Sequence, residues 1–281
     1  MNQHLHSIGV CSWSLQPTGL RELVNQLSTT GLNKVQLALT PLYLDPINWK
    51  DTAEQLADAN IKILSGMFQP AGEDYTTPAT IKATGGIISD ELWGDNWNQA
   101  QWISGQCKKL KIQQVSFHCG FIPEDTSTPL YHRIVTRVRE LADLFLGEFG
   151  GSLLLETGQE KAEDLLMFLE NVKRDNVGVN FDPANVLLYN VGDPIEALKA
   201  LMAFIRQVHI KDGLRPWVSG NWGEEVVVGR GEVNWPEFFS TLTNSKYSGN
   251  FIIEREAGTR RVQDIKTACD FIFPYLRKRS L

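Results

Sequence analysis

Short apolar runs and amphipathic stretches alternate from one end of the chain to the other. Runs rich in Val, Ile, Leu and Phe occupy residues 6–14, 33–39, 61–68, 113–118, 152–156, 177–182, 207–211 and 250–254. Their length and β-branched content read as strands. Between them lie helix-like segments at 20–29, 49–59, about 93–110, 130–149, 162–173, 194–204, 236–242 and 261–276. The segment 130–149 carries charges on one side and Leu, Val and Ile on the other, as an amphipathic helix does. Eight strands, each followed by a helix, predict an α/β fold. Specifically, they predict a single (β/α)8 TIM barrel over residues 1–281. No composition break, low-complexity tract or short-period repeat marks a second domain.

Two long connections interrupt this rhythm. Residues 69–91, rich in Gly, Thr and Pro, follow the third strand and so belong to the catalytic face. Residues 213–233 carry Trp217 and Trp222 among several glycines. Loops of this length in a compact domain are usually lids or binding loops, and otherwise plain surface excursions.

Composition narrows the class. A barrel typically takes about 250 residues, so 281 residues suit one domain with a large core. The formal net charge of −6, with no massed basic run, argues against a nucleic-acid partner. Cys11, Cys107, Cys119 and Cys269 are widely spaced and form no CxxC, so free thiols in a reducing cytosol are expected. The N-terminal Met-Asn-Gln-His-Leu-His lacks a signal-peptide pattern, and no apolar run approaches the roughly 20 residues needed to cross a bilayer. A cytoplasmic protein without a membrane partner is expected, and a homodimer is compatible with the sequence.

The chemistry concentrates at strand ends. Glu156, Asp182, His209 and Glu254 each close an apolar run in the second half of the chain. Strand alternation puts Glu156 on the face of Leu154, Asp182 with Asn180, His209 with Gln207, and Glu254 with Ile252. Alone, a strand-end Glu is most often solvated and a lone His most often a satisfied polar residue. Four at the same end of successive strands form an arc that can enclose one divalent ion and leave positions open for substrate oxygens. Pro183 after Asp182 ends the strand and suits the first turn of a helix.

These segments resemble a known family. Leu-Leu-Glu-Thr, Asn-Phe-Asp-Pro-Ala-Asn, Val-His-Ile-Lys-Asp, Gly-Arg-Gly-Glu-Val and Ile-Ile-Glu-Arg-Glu are similar to signature segments of the xylose isomerase-like barrel superfamily. The nearest likeness is to its sugar phosphate isomerase/epimerase branch, which includes the ketose 3-epimerases. The resemblance implies one Mn2+, Mg2+, Co2+ or Zn2+ ion held by Glu156, Asp182, His209 and Glu254. It also implies a carbohydrate substrate, phosphorylated or not, and a second role for Glu156 and Glu254 in proton transfer. A metal on the carbonyl and neighbouring hydroxyl would stabilise the enediolate formed when one Glu removes the weakly acidic proton. Return to the opposite face gives epimerisation; return to the neighbouring carbon gives isomerisation.

Other residues are candidates for the substrate. His118 ends the fourth strand and faces the same mouth, where it could bond a hydroxyl or simply cap the strand. Lys211 could touch a substrate oxygen or pair with Glu156 or Glu254. Arg230, between Gly229 and Gly231, suits a polyol hydroxyl or phosphate, or else a surface ion pair. Trp13 and Phe68 could wall a sugar face or pack in the core. Asn185 stands where the ketose 3-epimerases carry a substrate-binding histidine, and it cannot carry charge. Glu256 shares parity with Glu254 as an alternative ligand; Glu254 is preferred because it follows the strand directly. Three other readings fit less of the sequence: a 3-keto-glycoside lyase using the same metal logic, a non-catalytic metal-binding accessory protein, and an abasic-site endonuclease-like phosphodiesterase. The last needs histidine ligands beyond those available among five histidines.

Overall fold

A computed structural model describes residues 8–278. The strands are β1 (Ile8–Cys11), β2 (Lys34–Ala38), β3 (Lys62–Met67), β4 (Gln114–Phe117), β5 (Ser152–Glu156), β6 (Val177–Phe181), β7 (Ile205–Ile210), β8 (Asp212–Leu214), β9 (Glu224–Val226) and β10 (Asn250–Ile253). Eight of them close a parallel barrel in the order β1, β10, β7, β6, β5, β4, β3, β2, with β2 pairing back to β1. The helices are α1 (Leu20–Thr30), α2 (Thr40–Leu44), α3 (Thr52–Asp58), α4 (Pro78–Thr84), α5 (Asp90–Leu110), α6 (Pro129–Phe149), α7 (Ala162–Val172), α8 (Pro183–Leu188), α9 (Pro194–Leu201), α10 (Trp235–Asn244) and α11 (Arg261–Lys278).

Alternation along each strand sorts the side chains. In β2, Val35 and Leu37 face the helices, and Gln36 faces the interior, all fully buried. Leu23 and Leu27 of α1, Ile103 and Cys107 of α5, and Val138, Leu141 and Phe145 of α6 belong to the same shell between barrel and helices. The barrel interior is unlike that shell. TIM-barrel interiors are usually filled by Val, Ile and Leu. Here Gln36, Ser65, Ser116, Asn180 and Gln207 fill a layer, all at 0% exposure. They satisfy one another: Gln36 Nε2 donates to Ser116 Oγ at 2.7 Å, Ser65 Oγ to Gln207 Oε1 at 2.7 Å, and Gln207 Nε2 to Asn180 Oδ1 at 3.2 Å. A buried polar layer is tolerable only when bonded in this way.

Four expectations from the sequence need correction. The first strand, expected over 6–14, ends at Cys11, and Ser12–Leu15 turn into a 3-10 helix. Its cause is hydroxyl capture: Ser12 Oγ accepts the Ala38 N–H at 2.8 Å and Ser14 Oγ the Arg255 N–H at 2.9 Å. Residues 6 and 7 lie outside the described residues. The connection 69–91 is not one open loop, for α4 forms inside it, capped reciprocally by Thr77 and Thr80, and α5 begins at Asp90 behind the Ser89 cap. The connection 213–233 contains the antiparallel β8–β9 hairpin. Finally, α2 follows β2 and α8 follows β6, two helices absent from the eight-helix expectation.

Candidate functional site

The four strand-end residues converge at the C-terminal mouth of the barrel. Glu156 ends β5, Asp182 follows β6, His209 lies in β7, and Glu254 follows β10, so four adjacent staves supply them. One ligand atom from each lies within 4.8 Å of every other. His209 Nδ1 is the centre of this set, 3.3 Å from Asp182 Oδ2, 3.3 Å from Glu254 Oε2 and 3.4 Å from Glu156 Oε1.

Local folding aims each carboxylate. Asp182 caps α8: its Oδ1 accepts Ala184 N–H at 2.8 Å and Asn185 N–H at 3.1 Å, which leaves Oδ2 for the centre. Pro183 occupies the first helical turn, where its missing N–H costs nothing. Glu156 Oε1 accepts from Asn185 Nδ2 at 3.2 Å, and its Oε2 from Asn180 Nδ2 at 3.4 Å. Glu254 is held by Trp13 Nε1 on Oε1 at 2.8 Å and by Lys211 Nζ on Oε2 at 2.9 Å.

Charges reinforce the geometry. Burial works against a charged imidazole at His209, yet Glu254, Glu156 and Asp182 together hold its pKa well above the ordinary value. Burial likewise opposes charge on Lys211, and Glu254, Glu256 and Asp182 overcome it and push its pKa well up. Burial would raise Glu254, but Lys211 and His209 hold it well below the usual carboxylate range. Burial dominates at Asp182, whose pKa is raised. Three carboxylates around one imidazole nitrogen, all but inaccessible to water, carry more negative charge than Lys211 alone offsets. That donor set fits a divalent cation, with the carboxylates and Nδ1 as ligands. Cys11, His209 and Glu254 also lie close enough to form a second group. Burial pushes the Cys11 thiol far up, however, and a protonated thiol is a poor ligand.

Beside the four residues opens a cavity of about 670 Å³, which Glu254 of the four lines. Trp13, His118, Asn185 and Lys211, four of the substrate candidates from the sequence, line it. Trp13 reaches it from the 3-10 turn rather than from a strand end. His118 Nε2 lies 3.8 Å from Glu156 Oε1. Burial would discharge that imidazole, but Glu156 and Glu73 raise its pKa instead. Lys211 Nζ also donates to Asn185 Oδ1 at 3.3 Å and to Glu256 Oε2 at 2.6 Å. Glu256 is therefore a half-exposed part of the cleft wall and contributes no atom to the four-residue centre.

Two proposed substrate residues are not brought to the cleft. Phe68 is completely buried and packs against Phe117, with ring centroids 5.9 Å apart. Its neighbours Met67 and Gln69 line the cavity instead, one step off in parity. Arg230 is exposed and lines no part of the cavity. The glycines beside it serve Asp212, not a ligand: Gly229 and Gly231 N–H groups donate to Asp212 Oδ2 at 2.8 and 3.1 Å. A Cβ on Gly231 would stand 2.1 Å from Asp212 Oδ1. The sequence reading missed the wall residues Glu73, Tyr75, Tyr189 and Glu225. Glu73, Tyr75 and Glu225 sit in the two long connections already assigned to this face, so the loops were the available signal. Tyr189 directly follows α8, a helix that was not anticipated.

A model of the xylose isomerase-like TIM barrel family matches residues 24–275, and the chain belongs to that family. Among solved structures, a xylose isomerase domain protein from Planctomyces limnophilus is 31% identical, with 92% of each chain covered and a TM-score of 0.83. A xylose isomerase-like TIM barrel protein from Mycobacterium smegmatis, solved in complex with magnesium, is 16% identical over 100% of both chains, with a TM-score of 0.73. D-psicose 3-epimerase from Clostridium cellulolyticum H10, solved with D-tagatose, is 15% identical, covering 96% of this chain and 99% of that one at a TM-score of 0.70. The last two likenesses are likenesses of fold. A comparison with curated protein sequences gives no match. Among the described residues, no helix is long and apolar enough to cross a membrane.

Proposed function

We propose that the protein is a divalent-cation-dependent sugar isomerase or epimerase acting on an uncharged polyhydroxy ketose. The observation that carries this reading is the pair of carboxylates, Glu156 and Glu254, flanking one imidazole nitrogen at 3.4 and 3.3 Å from separated staves of the barrel. Glu156, Asp182, His209 and Glu254 would hold the ion, which would offset negative charge developing on substrate oxygens. Glu156 and Glu254 come from β5 and β10, the two ends of the four-stave arc, and would approach a bound carbon from different sides. Glu156 removes the proton beside the carbonyl, and Glu254 delivers one. Lys211 Nζ, 2.9 Å from Glu254 Oε2, holds and orients that carboxylate. Asn185 and Trp13 fix the two carboxylates, and a positioned base of this kind contributes roughly 10²–10⁴-fold.

The charge of the cleft supports an uncharged substrate. Among the described residues Lys211 is its one lysine or arginine, already engaged by Glu254 and Glu256, while Glu73, Glu225, Glu254 and Glu256 all line it. Among the described residues, a phosphate there would meet four carboxylates, with Lys211 already engaged by two of them. Among the described residues, His132 lies exposed on α6, which leaves His118 and His209 near the mouth and weakens the multi-zinc phosphodiesterase reading. A second reading, cleavage of a 3-keto-glycoside, is favoured by the cavity volume of about 670 Å³, mid-range for drug-sized ligands and roomy for a sugar bearing a substituent.

Metal analysis and proton exchange test the proposal together. Purified protein supplied with Mn2+ should retain about one ion per chain and exchange solvent deuterium into a ketose. Glu254→Gln should abolish conversion of the ketose to its epimer or isomer, whether or not Glu156 still exchanges its proton with solvent; conversion at the wild-type rate would reject its proton-transfer role. A protein that neither retains nor responds to any divalent ion would sink the reading as a whole. Retained metal without ketose exchange, but with turnover of a 3-keto-glycoside, would select the second reading.

A further inference from the structure

His209 is held on both sides of its ring, and the two sides are in competition. Nδ1 faces the three carboxylates, and Nε2 faces the polar layer of the barrel interior. Nε2 lies 2.8 Å from Gln36 Oε1 and 2.9 Å from Asn180 Nδ2. The two amides ask opposite things of that nitrogen. A carbonyl oxygen can only accept, so Gln36 requires a proton on Nε2. An amide N–H2 donates, so Asn180 favours a lone pair there. In a neutral imidazole the choice at Nε2 fixes the state of Nδ1, and therefore whether a lone pair points at the carboxylates.

The surrounding bonds decide how each amide is turned. Ser116 Oγ–H is 3.0 Å from Met67 Sδ and 3.4 Å from the Gly66 carbonyl, so its proton is spent there and its oxygen accepts from Gln36 Nε2 at 2.7 Å. Gln36 Oε1 is thereby committed to the imidazole, with the Cys11 thiol 3.5 Å from the same oxygen. Asn180 is turned the other way, because its oxygen accepts from Gln207, whose own oxygen accepts from Ser65. Asn180 has another acceptor for its N–H2, Glu156 Oε2 at 3.4 Å. Among the described residues, Gln36 Oε1 has only the weak Cys11 S–H donor besides His209.

We propose that Gln36 is the positioning residue that keeps the proton on His209 Nε2 and so makes Nδ1 the cation ligand. Asn180 yields and directs its donor to Glu156. Metal-bound histidines commonly donate their other N–H to an oxygen, and losing such a partner costs roughly 10–100-fold in metal affinity. The proposal rests on the reading of the four-residue centre as a cation site, and goes beyond it in naming what orients the imidazole.

The test compares wild type, Gln36→Leu and Gln36→Glu. Mn2+ affinity is measured by competition with a chromophoric chelator, and histidine 15N spectra are recorded with and without Zn2+. Gln36→Leu keeps the volume and removes the acceptor, so Mn2+ affinity should fall about 10–100-fold. Gln36→Glu keeps an acceptor oxygen and should restore affinity to within about threefold of wild type, a recovery that a purely space-filling role would not produce. In the Zn2+-loaded wild type, Nε2 should be protonated and Nδ1 bound. An unprotonated Nε2, or a Gln36→Leu variant that binds Mn2+ as tightly as wild type, overturns the assignment. Should the wild type take up neither ion, the cation reading fails separately. The hydrogen bond is then read in metal-free protein, where the Nε2 proton resonance must move upfield in Gln36→Leu, and its constancy would overturn the role given to Gln36. If Gln36→Leu does not fold, the Zn2+-loaded spectrum of wild type and the affinity of Gln36→Glu decide the matter.

Discussion

Replacing Asp212 by Asn should destabilise the protein far more than loss of one charge on a surface would. The carboxylate is fully buried and receives five hydrogen bonds. Oδ1 accepts Gly213 N–H at 3.0 Å and Val233 N–H at 3.3 Å. Oδ2 accepts Gly229 N–H at 2.8 Å, Gly231 N–H at 3.1 Å and Trp235 Nε1–H at 2.9 Å. An Asn side chain offers one acceptor oxygen. In its better orientation it keeps the three donors of the Oδ2 side and turns an N–H2 toward the other two. Hydrogen bonds to charged groups are worth about 1.5–3 kcal/mol each, so two lost bonds imply about 3–6 kcal/mol. Removing a buried charge offsets part of this, so the lower end, about 3 kcal/mol, is the expected value. Against a typical stability of about 5–15 kcal/mol, that is a large fraction. Urea unfolding followed by tryptophan fluorescence measures it, with Trp235 reporting directly on the site. A loss below about 1 kcal/mol would refute the claim that Asp212 organises this segment.

Four further outcomes are expected. A divalent cation at about 100 times its Kd should add about 2.7 kcal/mol of stability. With an unfolding entropy of about 2.1 cal/mol/K per residue over 281 residues, this raises Tm by about 5 °C, reversed by EDTA, and an unchanged melting curve would count against a cation site. Cation affinity should rise with pH: His209 is buried among Glu254, Glu156 and Asp182, its pKa is well up, and the metal-free imidazole therefore holds a proton that the ion must displace. Calorimetry in buffers of different ionisation enthalpy should detect that proton, and affinity independent of pH between about 6 and 8 would exclude its displacement. Trp13→Phe removes the 2.8 Å bond to Glu254 and should lower kcat about tenfold, from the roughly 1–1.5 kcal/mol such a bond contributes. Arg230→Ala should leave kcat and KM within about twofold, because the exposed arginine lines no part of the cleft.

What could be read from the sequence, and what could not, follows from one property of a barrel: both faces of every strand are buried. The four strand-end residues were legible because their positions at the ends of runs and their shared parity are linear features of the chain. Gln36 was not, although it lies beside them. In Lys-Val-Gln-Leu-Ala a polar residue between two apolar ones reads as a solvent-facing position on a half-buried sheet. In the closed barrel the same alternation places Gln36 inside, at 0% exposure, against His209 Nε2. Only the matching parity of Asn180 with Asp182, and of Gln207 with His209, hinted that the interior was polar. Phe68 was lost to the same ambiguity: a one-residue step separates it from Met67 and Gln69, and so moves it from the cleft to the shell. The glycines flanking Arg230 posed a different problem. Glycine in a loop marks a close approach without saying to what, and here the approaching group is Asp212, some twenty residues earlier, rather than a substrate. The one feature of that motif a sequence could have offered was its pairing with the aspartate of Val-His-Ile-Lys-Asp. That aspartate, buried and accepting from both glycines, ties the end of β7, which carries His209, to the segment leading into α10.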